Sequence, residues 1–228
     1  MSYKTEFIKF MAQSGALTFG DFITKSGRRT PYFINTGNYN TAAQLDKLGG
    51  FYAACIMENI KNGAIQGDLA ALFGPAYKGI PLCVSTAGAL YREHGFDVNY
   101  CFNRKECKDH GEKGIIAGYQ PKDGDSVLII EDVITAGTAV REVLPILNAA
   151  AHIRMAGLVI SVDRMERGLS AKTAVEEIYE QYGIRTFPIV TVREIIETLY
   201  NTEVNGRVYI DDPMRLRMEA YLNQYCAA

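Results

Sequence analysis

The chain has 228 residues, of which 48% are hydrophobic and 22% charged, so it can bury a substantial core and is not a disordered tail. Its 24 lysine and arginine residues against 26 aspartate and glutamate residues give a formal net charge of −2, which argues against a general nucleic-acid binder. The five cysteines form no Cys-x-x-Cys pair, charges interrupt the N-terminal segment and no apolar run is long enough for a bilayer. We therefore expect no disulfide framework, zinc ribbon, signal peptide or membrane segment, and a soluble cytoplasmic protein.

The first third of the chain predicts two helices around an irregular β-rich unit. Residues 3–13 form a short amphipathic pattern. Gly and Pro punctuate short aromatic pieces over residues 17–35, which is typical of irregular β-structure rather than of a core strand. Apolar residues at helical spacing then predict a long helix over residues 41–62.

Strands and helices alternate through the rest of the chain. The last helix is predicted to open at Asp212 and Pro213, with Asp212 as the N-cap and Pro213 in the first turn. Because the strands are apolar on both faces, we expect a mainly parallel sheet flanked by helices, with a ligand beyond the carboxyl ends of the strands. The strands are predicted at 69–73, 98–102, 127–130, 155–162 and 186–190, and the helices at 79–93, 138–150, 171–182 and 192–201.

The loop after the strand at 127–130 has the composition of a phosphate-binding site. Two carboxylates, Glu131 and Asp132, are followed by the small and hydroxylated residues 135–138, and then by a helix. Amides at a helix start bind anions, and Gly137 permits a close approach. The carboxylates would repel a phosphate unless they serve sugar hydroxyls or hydrated Mg²⁺, so the loop predicts a phosphorylated sugar as ligand. An ordinary strand–loop–helix connection is the alternative for so short a motif.

The whole string IIEDVITAGTA, residues 129–139, resembles the phosphoribosyl pyrophosphate (PRPP) motif of the type I phosphoribosyltransferases. Further motifs make the chain as a whole resemble the orotate phosphoribosyltransferase family. The resemblance implies an α/β fold in a single domain, 1–228, with a small N-terminal hood mainly from residues 1–36 on a core of residues 37–228. The further motifs are TKSGRRTPYFIN (24–35), GPAYKGIP (74–81), FNRKECKDHGEKG (102–114) and SVDRMERG (161–168).

The function that this resemblance implies is transfer of the ribose 5-phosphate group of PRPP to orotate. The products are orotidine 5′-monophosphate and pyrophosphate, and the pathway is UMP biosynthesis. A phosphoribosyltransferase for another nucleobase and a PRPP-sensing regulator without turnover are the alternatives. Mg²⁺ is the expected cofactor, held mainly through PRPP and water with no direct protein ligand.

The charged stretch 103–113 is a candidate lid. Mobile cations stabilise a leaving pyrophosphate, and a closed lid excludes water, although a solvated surface loop is the alternative. The resemblance implies that this loop closes over PRPP and reaches the active site of the neighbouring subunit in a homodimer. It assigns the PRPP contacts to Arg104, Lys105, Lys108 and His110, with Lys108 as the leading catalytic cation.

The resemblance assigns further PRPP contacts to several loops. It makes Glu131 and Asp132 catalytic as well, since they orient the ribose and favour its developing positive charge; at position 131, Asp is common in the family. It also implies a strained or cis non-proline peptide near Ala76–Tyr77. The assigned PRPP-binding residues are Lys25, Tyr77, Lys78, Glu131, Asp132, Val133, Ile134, Thr135, Ala136, Gly137, Thr138 and Ala139.

Orotate differs from uracil and the purines in its carboxylate, and Arg164 follows a predicted strand where a guanidinium can bind a carboxylate with two hydrogen bonds. A salt bridge from Arg164 to Asp163 or Glu166 is the alternative. Arg28 and Arg29 are interpreted as surface charges. The resemblance assigns orotate contacts to Lys25, Phe33, Ile34, Thr135 and Arg164, with Ile34 standing where many relatives carry an aromatic residue.

Overall fold

The computed structural model describes residues 2–24, 27–108, 114–134, 137–167 and 171–226. Within these ranges the helices and strands follow the predicted alternation. In chain order they are α1 (Tyr3–Gln13), β1 (Leu17–Ile23), β2 (Arg29–Ile34), a short 3-10 helix (Thr36–Asn38), α2 (Ala42–Lys61), β3 (Leu69–Gly74), α3 (Gly79–His94), β4 (Asn99–Lys108), β5 (Gly114–Gly118), β6 (Ser126–Ile130), α4 (Thr138–Ala150), β7 (Arg154–Asp163), α5 (Ala174–Tyr182), β8 (Thr186–Thr191), α6 (Val192–Leu199), β9 (Glu203–Val204), β10 (Arg207–Val208) and α7 (Asp212–Tyr225).

The central sheet has six strands in the order β5-β4-β3-β6-β7-β8. All neighbouring strands are parallel except β4 and β5, which are antiparallel. The chain runs outward from β3 to β4 and then returns to β6 on the other side of β3. Such a reversal of strand order is where α/β sheets bind ligands, at the carboxyl ends of the strands. The predicted fold class is therefore confirmed.

Strand β6 forms the middle of the core because both of its faces are apolar and all five of its residues are buried. Leu128 and Ile130 belong to the hydrophobic cluster that includes residues of α2 and α3. Val127 and Ile129 point the other way, into the cluster with residues of α4 and α5. Each such side chain contributes roughly 1.5–3 kcal/mol on burial. The carboxyl end of β6 is thereby held between two packed layers.

The N-terminal hairpin β1–β2 is a separate antiparallel sheet that packs against the last helix, α7. Tyr32 of β2 is fully buried, and its ring meets the ring of Tyr221 on α7 edge-on, with centroids 5.9 Å apart. The hood is thus attached to the C-terminal helix through aromatic contacts. The proposed boundary between hood and core at residue 36 stays a prediction.

The structure differs from the predicted elements at β4, at β5, at the short hairpin β9–β10, which was not predicted, and at one helix cap. Strand β4 continues to Lys108 and pairs with β5, where the charged sequence predicted a polar loop. The N-cap of α7 is Asp211, whose side chain accepts a hydrogen bond from the amide of Met214, so the prediction of Asp212 as the cap was wrong. In the ranges described above, the helices include none that is both long and apolar enough to cross a membrane.

Candidate active site

The acidic pair Glu131 and Asp132 directly follows β6 and is held by the backbone of the sheet. The amide of Glu131 donates to the carbonyl of Val159 at 3.0 Å, and the amide of Ser161 donates to the carbonyl of Asp132 at 2.9 Å. The hydroxyl of Tyr52 donates to the carbonyl of Glu131 at 2.8 Å. Both acids consequently remain 92% buried or more, with exposures of 8% and 7%.

The Asp132 carboxylate accepts hydrogen bonds from three donors that lie in different parts of the chain. Its Oδ2 accepts from the hydroxyl of Thr36 at 2.7 Å and from the ammonium group of Lys78 at 3.2 Å. Its Oδ1 accepts from the amide of Val133 at 2.7 Å. Oε1 of Glu131, in turn, accepts from the amide of Asp132 at 2.9 Å. Only Asp132 has a cation as a direct partner among these contacts.

This difference in partners separates the acidities of the two carboxyl groups. Burial raises the pKa of Glu131 to about 8, and the neighbouring charge of Asp132 adds to the increase. Burial acts on Asp132 in the same direction, but hydrogen bonds from Thr36 and Val133, together with the charge of Lys78, lower its pKa overall. Near neutral pH the pair therefore carries about one negative charge, located on Asp132.

The loop between β3 and α3 brings Lys78 to this pair. Gly74 lets the loop fold tightly, since a Cβ there would lie 2.4 Å from the carbonyl oxygen of Gly79. The peptide Ala76–Tyr77 is cis, which confirms that prediction. The amide of Ala76 donates to Oδ1 of Asn103 on β4 at 2.8 Å. The Lys78 side chain is 65% exposed, whereas the side chain of Asp132, taken without its backbone, is 11% exposed.

The loop between β6 and α4 ends on Gly137, the N-cap of α4, with a left-handed φ of 67°. A Cβ at this position would approach Ile178 to 3.2 Å, so both conformation and space favour glycine. Thr138 is exposed at the first position of α4, and Ala139 is half-buried. Thr135 and Ala136 lie outside the described residues. Half-buried Val133 and Ile134 lead into this segment.

The candidate lid is described only in its first part. Arg104 is half-buried on β4, and Lys105 places its ammonium group 5.0 Å from the ring centroid of Tyr77. Lys105 thus lies against the loop that carries Lys78. The Lys108 side chain and the whole of His110 lie outside what the structure describes, as does Lys25 of the hood.

Arg164 lies just past β7, next to the strand that ends on the acidic pair. Its Nε and Nη2 donate to Oε1 of Glu166 at 3.0 and 2.6 Å, and its guanidinium lies 5.0 Å from the ring centroid of Tyr32. The alternative of a salt bridge to Glu166 is therefore realised, whereas Asp163 accepts from the amide of Met165. Burial lowers the pKa of Arg164, but Tyr32 and Glu166 raise it overall, so the guanidinium stays charged.

The hood residues assigned to orotate have unlike environments. Phe33 is 38% exposed, and its ring stacks on that of Phe22 with centroids 5.6 Å apart. Ile34 is half-buried against the core. Arg29 is exposed as predicted, but the prediction for Arg28 was wrong: its guanidinium donates twice to the carbonyl of Arg167, both at 3.1 Å.

Thr36 and Asn103 are site residues that the sequence reasoning missed. Thr36 lies in the segment Asn35-Thr36-Gly37, whose turn-forming residues end the hairpin and carry it toward the sheet edge. That turn signal indicates a loop at the site but not the contact with Asp132, which is 96 residues away. A single uncharged amide such as Asn103 gives no pattern in a sequence.

Comparison with known proteins agrees with this geometry. Residues 36–185 match the model of the phosphoribosyl transferase domain family. An orotate phosphoribosyltransferase of Clostridium beijerinckii is 54% identical over 99% of each chain, and one of Clostridium acetobutylicum is 55% identical over 98% of this chain and 97% of that one. The crystal structure of a Francisella tularensis orotate phosphoribosyltransferase matches with a TM-score of 0.81 and 34% identity, covering 97% of this chain and 100% of that one.

Proposed function

The chain belongs to the orotate phosphoribosyltransferase family, and we propose that the site at the carboxyl ends of β3, β6 and β7 carries out the family's reaction. That reaction transfers the ribose 5-phosphate group of PRPP to orotate and releases pyrophosphate, as a step of pyrimidine biosynthesis. The near full-length match to relatives with this activity outweighs both alternatives, transfer to another nucleobase and a regulator without turnover.

The observation that carries the assignment of the site is the position of Arg164 beside the acidic pair. Strand β7 pairs with β6, and Val162 forms a bridge with Val133, so the segments that follow both strands are neighbours. A phosphorylated sugar bound at the end of β6 would present its anomeric carbon toward a base held at the end of β7. A guanidinium there selects orotate, because orotate carries a carboxylate that uracil and the purines lack.

We assign the ribose to the acidic pair. In the reaction, a ring nitrogen of orotate forms a bond to the anomeric carbon while the bond from that carbon to pyrophosphate breaks, and positive charge develops on the sugar. The negative charge of Asp132 lies where it favours this charge, and Glu131, protonated near neutral pH, can hold a ribose hydroxyl. No covalent nucleophile is needed, since positioning and charge stabilisation suffice.

We assign the phosphate groups of PRPP to two loops. The 5′-phosphate is placed at the start of α4, where Gly137 is the N-cap and Thr138 the first helical residue, at the positive end of the helix dipole. Thr135, Ala136 and Ala139 are the further residues proposed to bind it. The pyrophosphate is placed at Tyr77 and Lys78. Lys78 would exchange its contact with Asp132 for the pyrophosphate, which its exposed side chain permits.

For the lid we propose that residues 103–113 close over PRPP and reach the active site of a second subunit in a homodimer. The contact of Lys105 with Tyr77 supports this, because it already joins the first part of the lid to the pyrophosphate loop. Arg104, Lys105, Lys108 and His110 are the proposed cations, with Lys108 as the catalytic one. Their charge would stabilise the leaving pyrophosphate.

Mg²⁺ is the proposed cofactor. Among the described residues, no group of three His, Cys, Asp or Glu side chains is arranged to hold a metal ion, and both Asp132 oxygens already accept hydrogen bonds from protein groups. These side chains fit an ion held mainly by PRPP oxygens and water. When bound in this way, Mg²⁺ neutralises phosphate charge and assists departure of pyrophosphate.

The proposed orotate site combines Arg164 with hood residues. Phe33 and Ile34 of β2 would cover the ring and offer backbone hydrogen-bonding groups, and Lys25 and Thr135 complete the set.

We also propose a cytoplasmic location, which the buried, free thiols of Cys55, Cys83, Cys101 and Cys226 support, because reduced cysteines are typical of reducing compartments.

The test is to supply the purified protein with PRPP, Mg²⁺ and one base at a time and to follow pyrophosphate release. Orotate should support turnover, whereas uracil, hypoxanthine and adenine should not. Equal turnover with uracil would contradict the assignment of Arg164.

Lys108→Ala should lower turnover strongly while PRPP binding partly survives, and unchanged turnover would remove the lid from the mechanism.

A further inference from the structure

Glu166 is the centre of a partly buried cluster that the proposed reaction does not yet use. Its Oε1 accepts from Nε and Nη2 of Arg164, from the hydroxyl of Tyr221 at 2.7 Å and from the hydroxyl of Tyr32 at 3.3 Å. The side chains of Arg164 and Glu166 are only 13% and 19% exposed. Burial raises the pKa of Tyr221 to about 12, so its hydroxyl remains a donor. A carboxylate with this many donors is fixed in place.

The contact with Glu166 uses only one edge of the Arg164 guanidinium. Glu166 takes the Nε–Nη2 edge, and the ring of Tyr32 lies 5.0 Å from the guanidinium carbon, so both the rotation and the plane of the group are set. No acceptor in the described part of the chain bonds to Nη1. The Nη1–Nη2 edge can therefore donate two parallel hydrogen bonds to a second carboxylate.

A second guanidinium keeps the cluster cationic. Nη1 of Arg28 lies 4.0 Å from Oε2 of Glu166, so two arginines share one carboxylate. The formal surplus of one positive charge means that Glu166 does not cancel the attraction of Arg164 for an anionic base. Arg28 comes from the hood, so the cluster draws on both ends of the chain.

The C-terminal helix fixes the segment that carries Arg164 and Glu166. The thiol of Cys226 contacts the carbonyl oxygen of Arg164 at 3.5 Å, and Cys226 forms an antiparallel bridge with Glu166. The amide of Arg167 donates to the carbonyl of Tyr225 at 2.9 Å. These contacts, together with Tyr221, connect α7 to the segment after β7.

We propose that Glu166, supported by Tyr221 of α7, is a positioning residue that orients the Arg164 guanidinium so that its outer edge receives the carboxylate of orotate. The inference rests on the proposed role of Arg164 in binding orotate. It makes the C-terminal helix a determinant of base recognition, although that helix lies far from the phosphate loops in the sequence. Glu166 touches no reacting atom and acts through Arg164.

A competing role for Glu166 predicts a change in KM for orotate of the opposite sign, so the two roles can be distinguished. If Glu166 only occupied Arg164 until orotate displaced it, removing its charge would free the guanidinium and lower KM for orotate. If Glu166 positions Arg164, removing its charge leaves the guanidinium free to rotate, and KM for orotate rises. The isosteric Glu166→Gln variant distinguishes these two effects.

We expect Glu166→Gln to raise KM for orotate about tenfold, because outer-shell groups that orient a binding residue contribute effects of about that size. KM for PRPP should stay within about twofold of the parent value. Tyr221→Phe, which removes one hydrogen bond and keeps the ring, should raise KM for orotate about threefold. Tyr225→Phe is the matched control one turn along α7, since its hydroxyl forms no hydrogen bond within the described ranges and the substitution keeps the ring contacts with Arg28 and Tyr221, and it should leave both constants unchanged.

Three outcomes would overturn the inference. They are an unchanged KM for orotate in both Glu166→Gln and Tyr221→Phe, a lowered KM for orotate in Glu166→Gln, and parallel rises in both KM values, which a general loss of structure produces. Arg164→Ala separates this failure from failure of the proposed function. If the parent protein uses orotate and Arg164→Ala impairs this use, an unchanged KM for orotate in Glu166→Gln contradicts only the positioning role of Glu166. If Arg164→Ala leaves the use of orotate unchanged, the proposed roles of both residues are contradicted.

Discussion

Each half of the site contains an ion pair, but the ligand-binding group is the carboxylate in one pair and the cation in the other. At the end of β6, Asp132 is the proposed ligand-binding group, and its cation, Lys78, is 65% exposed. At the end of β7, the cation Arg164 is the ligand-binding group, and its partner Glu166 is 19% exposed. The cation of the first pair reaches solvent, whereas both side chains of the second pair are largely buried between the hood and the C-terminal helix.

This difference shows that a salt bridge between a cation and a carboxylate can be either an exchangeable contact or a fixed one. An exposed lysine contributes little to stability and can leave its partner when an anionic ligand arrives. A buried arginine held at two nitrogens cannot leave without exposing an unpaired charge, so it presents a fixed edge instead. Exposure of the partner, rather than the presence of a salt bridge, therefore distinguishes an exchangeable contact from a permanent one.

The largest expected effect comes from removing the enclosed cation. Arg164→Ala should lower kcat/KM for orotate about a thousandfold, since loss of one member of a buried charged contact costs about 2–5 kcal/mol. Initial rates with each substrate varied in turn would measure it, and KM for PRPP should change by less than about threefold. Arg29→Ala, at an exposed arginine of β2, is the control. An equal loss for both substrates would contradict the division into two halves.

The next effect concerns the pH dependence of stability. The pKa of Glu131 is raised to about 8 in the folded chain, from an ordinary value of 4.5. Between these values the folded chain binds a proton that the unfolded chain has released, so the contribution of Glu131 is fully present below about pH 4.5 and lost as the pH rises through about 8. Because Gln does not titrate, the stability of Glu131→Gln relative to the parent should increase by about 3 kcal/mol between about pH 5 and pH 8.

Urea unfolding at several pH values would measure this difference. A difference that stays constant with pH would show that Glu131 is ionised in the folded chain across this range. It would also remove the argument that the acidic pair carries one negative charge.

The next smaller effect is a loss of turnover, which is expected when the charge of Asp132 is removed. Asp132→Asn should lower kcat about a hundredfold, the size typical of losing one electrostatic contact to a developing charge. Single-turnover rates with saturating orotate and PRPP would measure the chemical step. Asp97→Asn, at an exposed position before β4, is the matched control. A change in KM alone would assign Asp132 to binding and not to the reaction.

The smallest effect should follow from the exchangeable cation. Lys78→Ala should raise KM for PRPP about tenfold through loss of one charge-assisted contact, and leave KM for orotate unchanged. The melting temperature should hardly move, because exposed ion pairs contribute about 1 kcal/mol or less. Lys61→Ala, at the exposed end of α2, is the control. A large drop in melting temperature would show that the Lys78 contact is permanent, like that of Arg164.

The sheet was predictable because its strands are uniformly apolar, whereas β4 and β5 were not. The second half of β4 is charged, so periodicity indicates a loop, and only the pairing with β5 at the sheet edge makes it a strand. The cap of α7 was misplaced by one residue because Asp211 and Asp212 are both good caps. The choice depends on the extended backbone of Asp211, which no local pattern reveals.

The site was predictable where side chains carry formal charge or lie in a motif. Lys78 contacts Asp132, and Arg164 follows the strand that pairs with β6, so these residues lie at the strand ends where the sequence pattern indicates them. The supports were not predictable: Thr36 is uncharged, and the environment of Arg28 depends on contacts across the fold. Long-range partners of this kind become visible only when the chain is folded.

The backbone hydrogen bonds that continue the sheet beyond Ile130 have a consequence for how activity is lost on heating. The amide of Ser161 reaches the carbonyl of Asp132, and Tyr52 reaches that of Glu131, so the reaction centre is anchored in the middle of the folded unit. Heating should therefore abolish turnover together with global melting and not before it. The Ser161 amide proton should exchange with deuterium as slowly as the most protected positions of the molecule.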